Sequence, residues 1–207
     1  MARYLSRFEH LLRQQGFHMF AGVDESGRGP LAGPVVAAAC IFLPSARLEG
    51  IKDSKLLTPE ARKKLFWMII RHAMVGVGVV SEQEIDRINI LNASLLAMRK
   101  AVLALPVTPD FVLIDGLFGL DLPIPQKPVV RGDSRLVSVG AASIVAKVTR
   151  DEIMMHYDRT YPSYGFKEHK GYSTPAHIAA LEEHGPSPIH RMSFEPVARL
   201  VSLPPLK

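Results

Sequence analysis

Two periodicities divide the hydrophobic positions of this chain. Phe17 to Asp24, Val35 to Leu43 and Val75 to Ser81 are short apolar-rich runs bounded by glycine, proline or polar residues, and they predict three strands in succession. Between the last two, Thr58 in an N-cap position and Pro59 at the first helical position precede Ala61, Leu65, Met68 and Ile69 on one face, which predicts a helix. Leu91, Leu95, Met98, Val102 and Leu105 recur at spacings of four and three and predict a second one. Phe111 to Asp115 reads as a short buried strand and Val129 to Arg131 as another. A long helix from about Leu136 to His156 and a last one near Pro175 to His184 follow. Strands first, then alternating helix and strand, imply an α/β fold: a mixed sheet flanked by helices, with ligand chemistry at strand ends. Pro186, Pro188, Pro204 and Pro205 mark the last twenty or so residues as an irregular tail packed on the domain.

Composition narrows the class. With 207 residues, 47% hydrophobic and 22% charged, the chain is an ordinary globular one with room for a large core. The single cysteine, Cys40, lies inside the apolar run Val35 to Leu43, so a disulfide scaffold is excluded. That run is about half the roughly 20 residues that span a bilayer, so no membrane helix is expected. The first ten residues carry scattered charge and no continuous apolar segment, which does not read as a secretory signal, and a reducing cytoplasm is the expected compartment. An excess of Lys and Arg (25) over Asp and Glu (20) gives a net charge of +5 and favours polyanionic partners, although no basic block of five or six residues occurs.

Candidate chemistry is acidic. Asp24, Asp115 and Asp133 each close an apolar, strand-like run, and Glu25 follows Asp24 directly. Taken singly, an Asp after a strand is more often a turn cap. Three of them with an adjacent Glu point to one site, where mutual repulsion calls for a divalent ion, and an oxygen-only donor set selects Mg²⁺ or Mn²⁺. Two such ions about 4 Å apart form the clamp used for in-line phosphodiester hydrolysis. The loop Gly27-Arg28-Gly29-Pro30-Leu31-Ala32-Gly33 follows the acids. Pro30, Gly33 and Pro34 argue against the helix that a dinucleotide fingerprint needs, and no Gly-Lys-Ser/Thr completes a phosphate loop. What remains is a glycine-lined turn open to close approach by a nucleotide, or a plain hairpin turn. Lys167 to Thr174 and His190 to Phe194 mix cations, aromatics and hydroxyls, which suits stacking beside phosphates and equally a solvated loop. No histidine set has zinc spacing, and no serine or cysteine nucleophile motif is present.

These residues resemble the bacterial ribonuclease HII family, the type 2 ribonucleases H. The resemblance runs along nearly the whole chain: Gly22-Val-Asp-Glu-Ser-Gly-Arg-Gly-Pro30, Asp53-Ser-Lys55, Ile114-Asp-Gly116, Gly132-Asp133, Ala141-Ala-Ser-Ile-Val-Ala-Lys147, His169-Lys-Gly-Tyr172 and Arg191-Met-Ser-Phe194. It implies a ribonuclease H-like sheet with a helical C-terminal part, formed as one catalytic domain over 1–207 whose region from about 165 to 207 contacts substrate. Asp24, Glu25, Asp115 and Asp133 would then be the catalytic, metal-binding acids, with two Mg²⁺ or Mn²⁺ ions in the substrate complex. Gly27, Arg28 and Gly29 would read the ribonucleotide 2′-hydroxyl, Tyr172 would stack on the neighbouring deoxynucleotide, and Lys55 would lie near the substrate backbone. Apart from the resemblance, Lys55 and Arg191 are cations expected to contact phosphates.

The implied partners are RNA/DNA hybrids and duplex DNA containing ribonucleotides, with no membrane, a monomeric state, and roles in replication and ribonucleotide excision repair. Ser26, Gly140 and Ser173 depart from the usual Ala, Ala and Gly of the family. A catalytically silent hybrid-binding protein and a junction resolvase on a related fold are the competing readings.

Overall fold

The computed structural model describes residues 6–43, 51 and 58–202. Five strands, β1 (Phe20–Ser26), β2 (Val35–Phe42), β3 (Ala73–Val80), β4 (Phe111–Asp115) and β5 (Gln126–Val129), form one sheet in the order β3-β2-β1-β4-β5. β1, β2 and β3 are antiparallel neighbours, whereas β4 pairs parallel to β1 and β5 parallel to β4. The parallel pairing of β1 with β4 points their C-terminal ends the same way, so Asp24, Glu25 and Asp115 emerge at one edge of the sheet.

Helices cover both faces, which is why β2 is apolar without alternation. On one side Ala38, Cys40 and Phe42 of β2 pack with Leu113, Ile69 and the small residues of α5 (Val137–Thr160). On the other, Ala37, Ala39 and Ile41 pack with Val23, Ile114 and the Ala93, Ala97 and Ala101 stripe of α3 (Glu82–Leu103). α2 (Pro59–His72) is capped as expected, the Thr58 hydroxyl accepting from Ala61 N at 3.2 Å.

The approach of α5 to β1 depends on one missing side chain. A Cβ on Gly22 would lie 2.2 Å from the Ser138 carbonyl carbon and 2.3 Å from Val139 N, so only glycine lets the helix rest on the strand here. The start of α5 is pinned by α1 (Arg7–Gln14), whose fully buried Glu9 accepts hydrogen bonds from Val137 N, Ser138 N and the Ser138 hydroxyl. Together these contacts set Ser143, one and a half turns along, against Asp24.

Several boundaries depart from the sequence expectation for identifiable reasons. β1 starts at Phe20, because the Asp110 carboxylate accepts from His18 N and Met19 N and holds them off the ladder, while Phe17 packs edge-on to Phe111. α3 begins at Glu82 behind a Ser81 cap, and it breaks at Asn89 (φ 66°, ψ 164°), whose side-chain oxygen accepts from Leu91 N and Asn92 N. The apolar stripe beginning at Leu91 marks the restarted half alone.

β5 ends at Val129, where the expected Val129 to Arg131 segment begins, and contains Pro128, tolerated on an edge strand. Asp133, read as closing a strand, consequently sits in the first turn of α4 (Gly132–Arg135). Beyond α5 come a 3₁₀ turn (Pro162–Tyr164), α6 (Phe166–His169) and α7 (Pro175–His184). The tail, expected to be irregular, contains α8 (Val197–Ser202), with Val197 buried against Leu31 and Leu181. Among the described residues no helix is long and apolar enough to cross a membrane.

Candidate active site

A cleft of about 440 Å³ opens where β1 and β4 end, lined by Asp24, Glu25, the Ser26 to Gly29 turn, Asp115, Ser143, Lys147, Arg62 and Tyr172. Asp24 is buried, and its Oδ1 accepts from Glu25 N at 2.7 Å. Its carboxyl is held well above the usual range, first by burial and then by the charges of Glu25 and Asp115. Glu25 is raised too, by burial and by Asp115, against the pull of Arg28 at 3.3 Å. Asp115 Oδ1 accepts from Gly132 N at 2.6 Å, which ties the end of β4 to the helix that carries Asp133.

Asp133 is buried beside this junction and does not line the cleft. Three of the four expected acids therefore share one cavity and the fourth stands behind Asp115. Among the described residues no three Asp, Glu, His or Cys side chains converge into a formed metal shell. The chemistry of the donors nonetheless fits a hard divalent cation. All are carboxylate oxygens, Asp24 and Glu25 are pushed toward neutrality first by burial and then by the charge of Asp115, to which Glu25 adds for Asp24, and Glu25 Oε2 is buried with no hydrogen-bond donor.

The glycine turn and the tyrosine face each other. Gly27 adopts φ +100°, and a Cβ there would lie 2.2 Å from Arg150 Nε, so its glycine is required on both counts. A Cβ on Gly29 would find only the Tyr172 ring, at 3.9 Å. Tyr172 is 42% exposed, with Lys147 Nζ 5.8 Å and Arg150 Cζ 5.9 Å from its ring centre. The two loops are joined directly by the Leu31 N to Gly171 O hydrogen bond of 2.8 Å.

Arg191 corrects the sequence reading. It was expected at the phosphates, but the structure buries it completely beneath the turn. Its guanidinium donates to the carbonyls of Gly27 (2.5 Å), Arg28 (2.9 Å) and Gly33 (2.8 and 3.0 Å). Burial, with the neighbouring charge of Arg150, pushes it down to about 9, still charged at neutral pH. Arg150, equally buried, donates to the carbonyls of Pro34, Ala32 and Lys170. Glu82, buried and raised by that burial, is the carboxylate whose charge Arg191 feels most, and Arg150 feels it after Asp151. Lys55 lies outside the described residues.

Sequence reasoning also missed the support under Tyr172. Ser187 N donates to His190 Nδ1 at 2.9 Å, so His190 Nε2 carries the proton and donates to His177 Nε2 at 3.0 Å; His177 Nδ1 then donates to the Tyr172 carbonyl at 2.9 Å. Both rings are neutral in this chain, and burial pushes each down to about 4. The signal was present in part. Arg150 falls on the buried stripe Ala142, Ala146, Arg150, Met154 at spacings of four, and a charge on an apolar stripe must have partners. For His177 and His190, thirteen residues apart, no spacing points to their meeting.

A mixed sheet in this strand order, flanked by helices and carrying acids at the ends of β1 and β4, is a ribonuclease H-like α/β fold. The family described as Ribonuclease HII matches residues 21–197 of the chain. The Ribonuclease HII of Geobacter metallireducens is 54% identical over 201 residues, covering 97% of this chain and 94% of its own. That of Geobacter sulfurreducens is 52% identical over 191 residues, covering 92% and 88%. Among solved structures, the ribonuclease H2 of Pyrococcus horikoshii superposes with a TM-score of 0.75 at 31% identity, covering 87% of this chain and 96% of that one. The chain belongs to the ribonuclease HII family and is a nuclease.

Proposed function

We propose that the protein is an endoribonuclease that hydrolyses the RNA strand of RNA/DNA hybrids and cuts on the 5′ side of ribonucleotides embedded in duplex DNA, leaving 3′-hydroxyl and 5′-phosphate ends. Family membership supports the general reaction. One observation carries the finer reading: Asp24, Glu25 and Asp115 share a cleft with the Gly27 to Gly29 turn, and that turn faces Tyr172. Recognition of a sugar and attack on its phosphodiester would then occur at one nucleotide.

Asp24, Glu25, Asp115 and Asp133 are the residues that would hold Mg²⁺ or Mn²⁺, two ions in the substrate complex. Such ions supply activation of water and neutralisation of charge on the phosphodiester. The protein's own groups do the rest. Asp115, anchored by Gly132 N, and Asp24, anchored by Glu25 N, keep fixed orientations. Arg28, Arg62 and Lys147 surround the acids with cations suited to the nucleic-acid backbone. Backbone groups of the turn reach the 2′-hydroxyl, which alone distinguishes RNA from DNA at a sugar and is both donor and acceptor. Tyr172 offers a ring face to the next nucleotide, and the 165–207 region acts through it.

End-labelled duplexes with zero, one and four ribonucleotides, incubated with Mg²⁺, test this. Cleavage of the second and third at the 5′ side of a ribonucleotide is expected, with the first intact. Survival of the single-ribonucleotide duplex while the four-ribonucleotide one is cut would sink the reading, because recognition would need a run of 2′-hydroxyls. Binding without any cleavage would favour a silent hybrid-binding protein, and cutting of branched DNA alone a resolvase.

A further inference from the structure

We infer that Arg191 is the positioning residue that makes the Gly27 to Gly29 turn a hydrogen-bond donor toward the cleft, and that discrimination of a ribonucleotide from a deoxynucleotide depends on it. The inference rests on the proposed reading of that turn. The peptide units of this turn are trans, the only cis bond among the described residues being Glu195-Pro196. In a trans peptide the carbonyl and the following N–H point in opposite directions. Arg191, fully buried under the turn, takes the carbonyls of Gly27 and Arg28. The N–H groups of Arg28 and Gly29 are thereby turned away from the core, to the side where Arg28 and Gly29 line the cleft. Among the described residues neither N–H meets an acceptor in the backbone hydrogen bonds of turns and loops.

Two adjacent outward N–H groups form a concavity for an electron-rich oxygen, such as a sugar hydroxyl or a phosphate oxygen. Without the guanidinium, the peptide planes could rotate and present carbonyls instead, which repel those same oxygens. Lysine cannot replace it. An ammonium has no planar fork with which to bridge carbonyls of Gly27, Arg28 and Gly33 at once. Arg150 provides the internal contrast. It is just as buried and also donates to three carbonyls, but those belong to Ala32, Pro34 and Lys170, outside the three-residue turn. A role limited to holding the loops together would be common to both arginines, whereas orientation of the Arg28 and Gly29 amides belongs to Arg191.

The test is binding, with Ca²⁺ in place of Mg²⁺ to separate affinity from turnover. Fluorescence anisotropy gives Kd for a duplex with one ribonucleotide and for the same duplex in all-DNA form, using wild type, Arg191→Lys, Arg191→Gln and Arg150→Lys. Wild type should prefer the ribonucleotide duplex. The Arg191 variants should lose that preference by about tenfold while Kd for all-DNA duplex stays within about twofold, since phosphate contacts carry no sugar information. Arg150→Lys should shift both affinities together. Equal losses on both duplexes in the Arg191 variants, or an unchanged preference, would overturn the inference. A wild type with no preference overturns the reading of the turn itself, and the inference with it. Should the Arg191 variants fail to fold, amide exchange on the wild-type protein decides: Arg28 and Gly29 N–H should be protected by the ribonucleotide duplex and not by all-DNA duplex, and equal protection by both refutes the assignment.

Discussion

Replacing Glu9 by alanine removes an acceptor shared by four donors, three of them at the start of the helix beneath the acids. Its carboxylate, fully buried, accepts from Ser6 N at 2.8 Å, Val137 N at 3.2 Å, Ser138 N at 2.8 Å and the Ser138 hydroxyl at 2.6 Å. Hydrogen bonds to a charged group contribute about 1.5–3 kcal/mol each, and a buried donor left unmatched costs about 1–3 kcal/mol. These terms are not additive, since water can enter the vacated space and Ser138 can turn its hydroxyl toward its own helix. Several unmatched buried donors, discounted for that relaxation, give an expected destabilisation of about 3–5 kcal/mol for Glu9→Ala.

For a chain of this size each kcal/mol lowers Tm by about 2–4 °C, so a fall of about 6–20 °C is expected in a calorimetric or circular-dichroism melt. Glu9→Gln should lose about 2–4 kcal/mol, because its amide nitrogen would point donors at donors. Glu152→Gln serves as the control. Its pairing with Lys63 at 3.1 Å is half-exposed, and its loss should stay within about 0.5 kcal/mol. A Glu9→Ala melt within 3 °C of wild type, or one matching Glu152→Gln, would refute the claim that this carboxylate anchors α5 on the sheet.

Asp24→Asn and Asp115→Asn should each abolish cleavage at ordinary Mg²⁺ concentration and leave the circular-dichroism spectrum unchanged; near-normal turnover would remove that residue from the metal set. Asp24→Asn should also raise the Tm of the metal-free protein, because it removes a buried charge that Glu25 and Asp115 repel, and a lower Tm would contradict that account. Acidification should loosen the histidine chain: His177 and His190 bind protons in the unfolded chain below about pH 6.5, but in the folded one only near about 4. Their contribution to stability is therefore complete above about pH 6.5 and lost progressively as pH falls toward 4. Urea melts at pH 7 and pH 4.5 should show a smaller pH-dependent loss for His177→Asn than for wild type, and identical losses would exclude the pair as its source.

Local pattern was enough for the elements whose signals are local. Thr58 with Pro59 caps α2, and the Phe111 to Asp115 run is a buried strand, because caps and apolar periodicity act within a few residues. The motif around Asp24, Glu25 and the glycine turn was legible for the same reason, since its members are consecutive. Boundaries failed where a distant group competed with the local signal. Asp110, more than ninety residues from His18 in sequence, withdraws the start of β1 from the ladder, and edge placement permits Pro128 inside β5.

The role of Arg191 could be decided only in three dimensions. The sequence shows a basic residue near aromatic and hydroxyl groups, a pattern shared by phosphate ligands and buried struts. Which of these it becomes depends on whether the fold brings carbonyls to it, and here the turn and Gly33, 158 to 164 residues earlier, supply all of them. Residue type and spacing determined which acids could hold metal and where the chain could turn. Burial determined which charges face the cleft and which hold it in shape, because desolvation and hydrogen-bond saturation are properties of the packed structure and not of the chain.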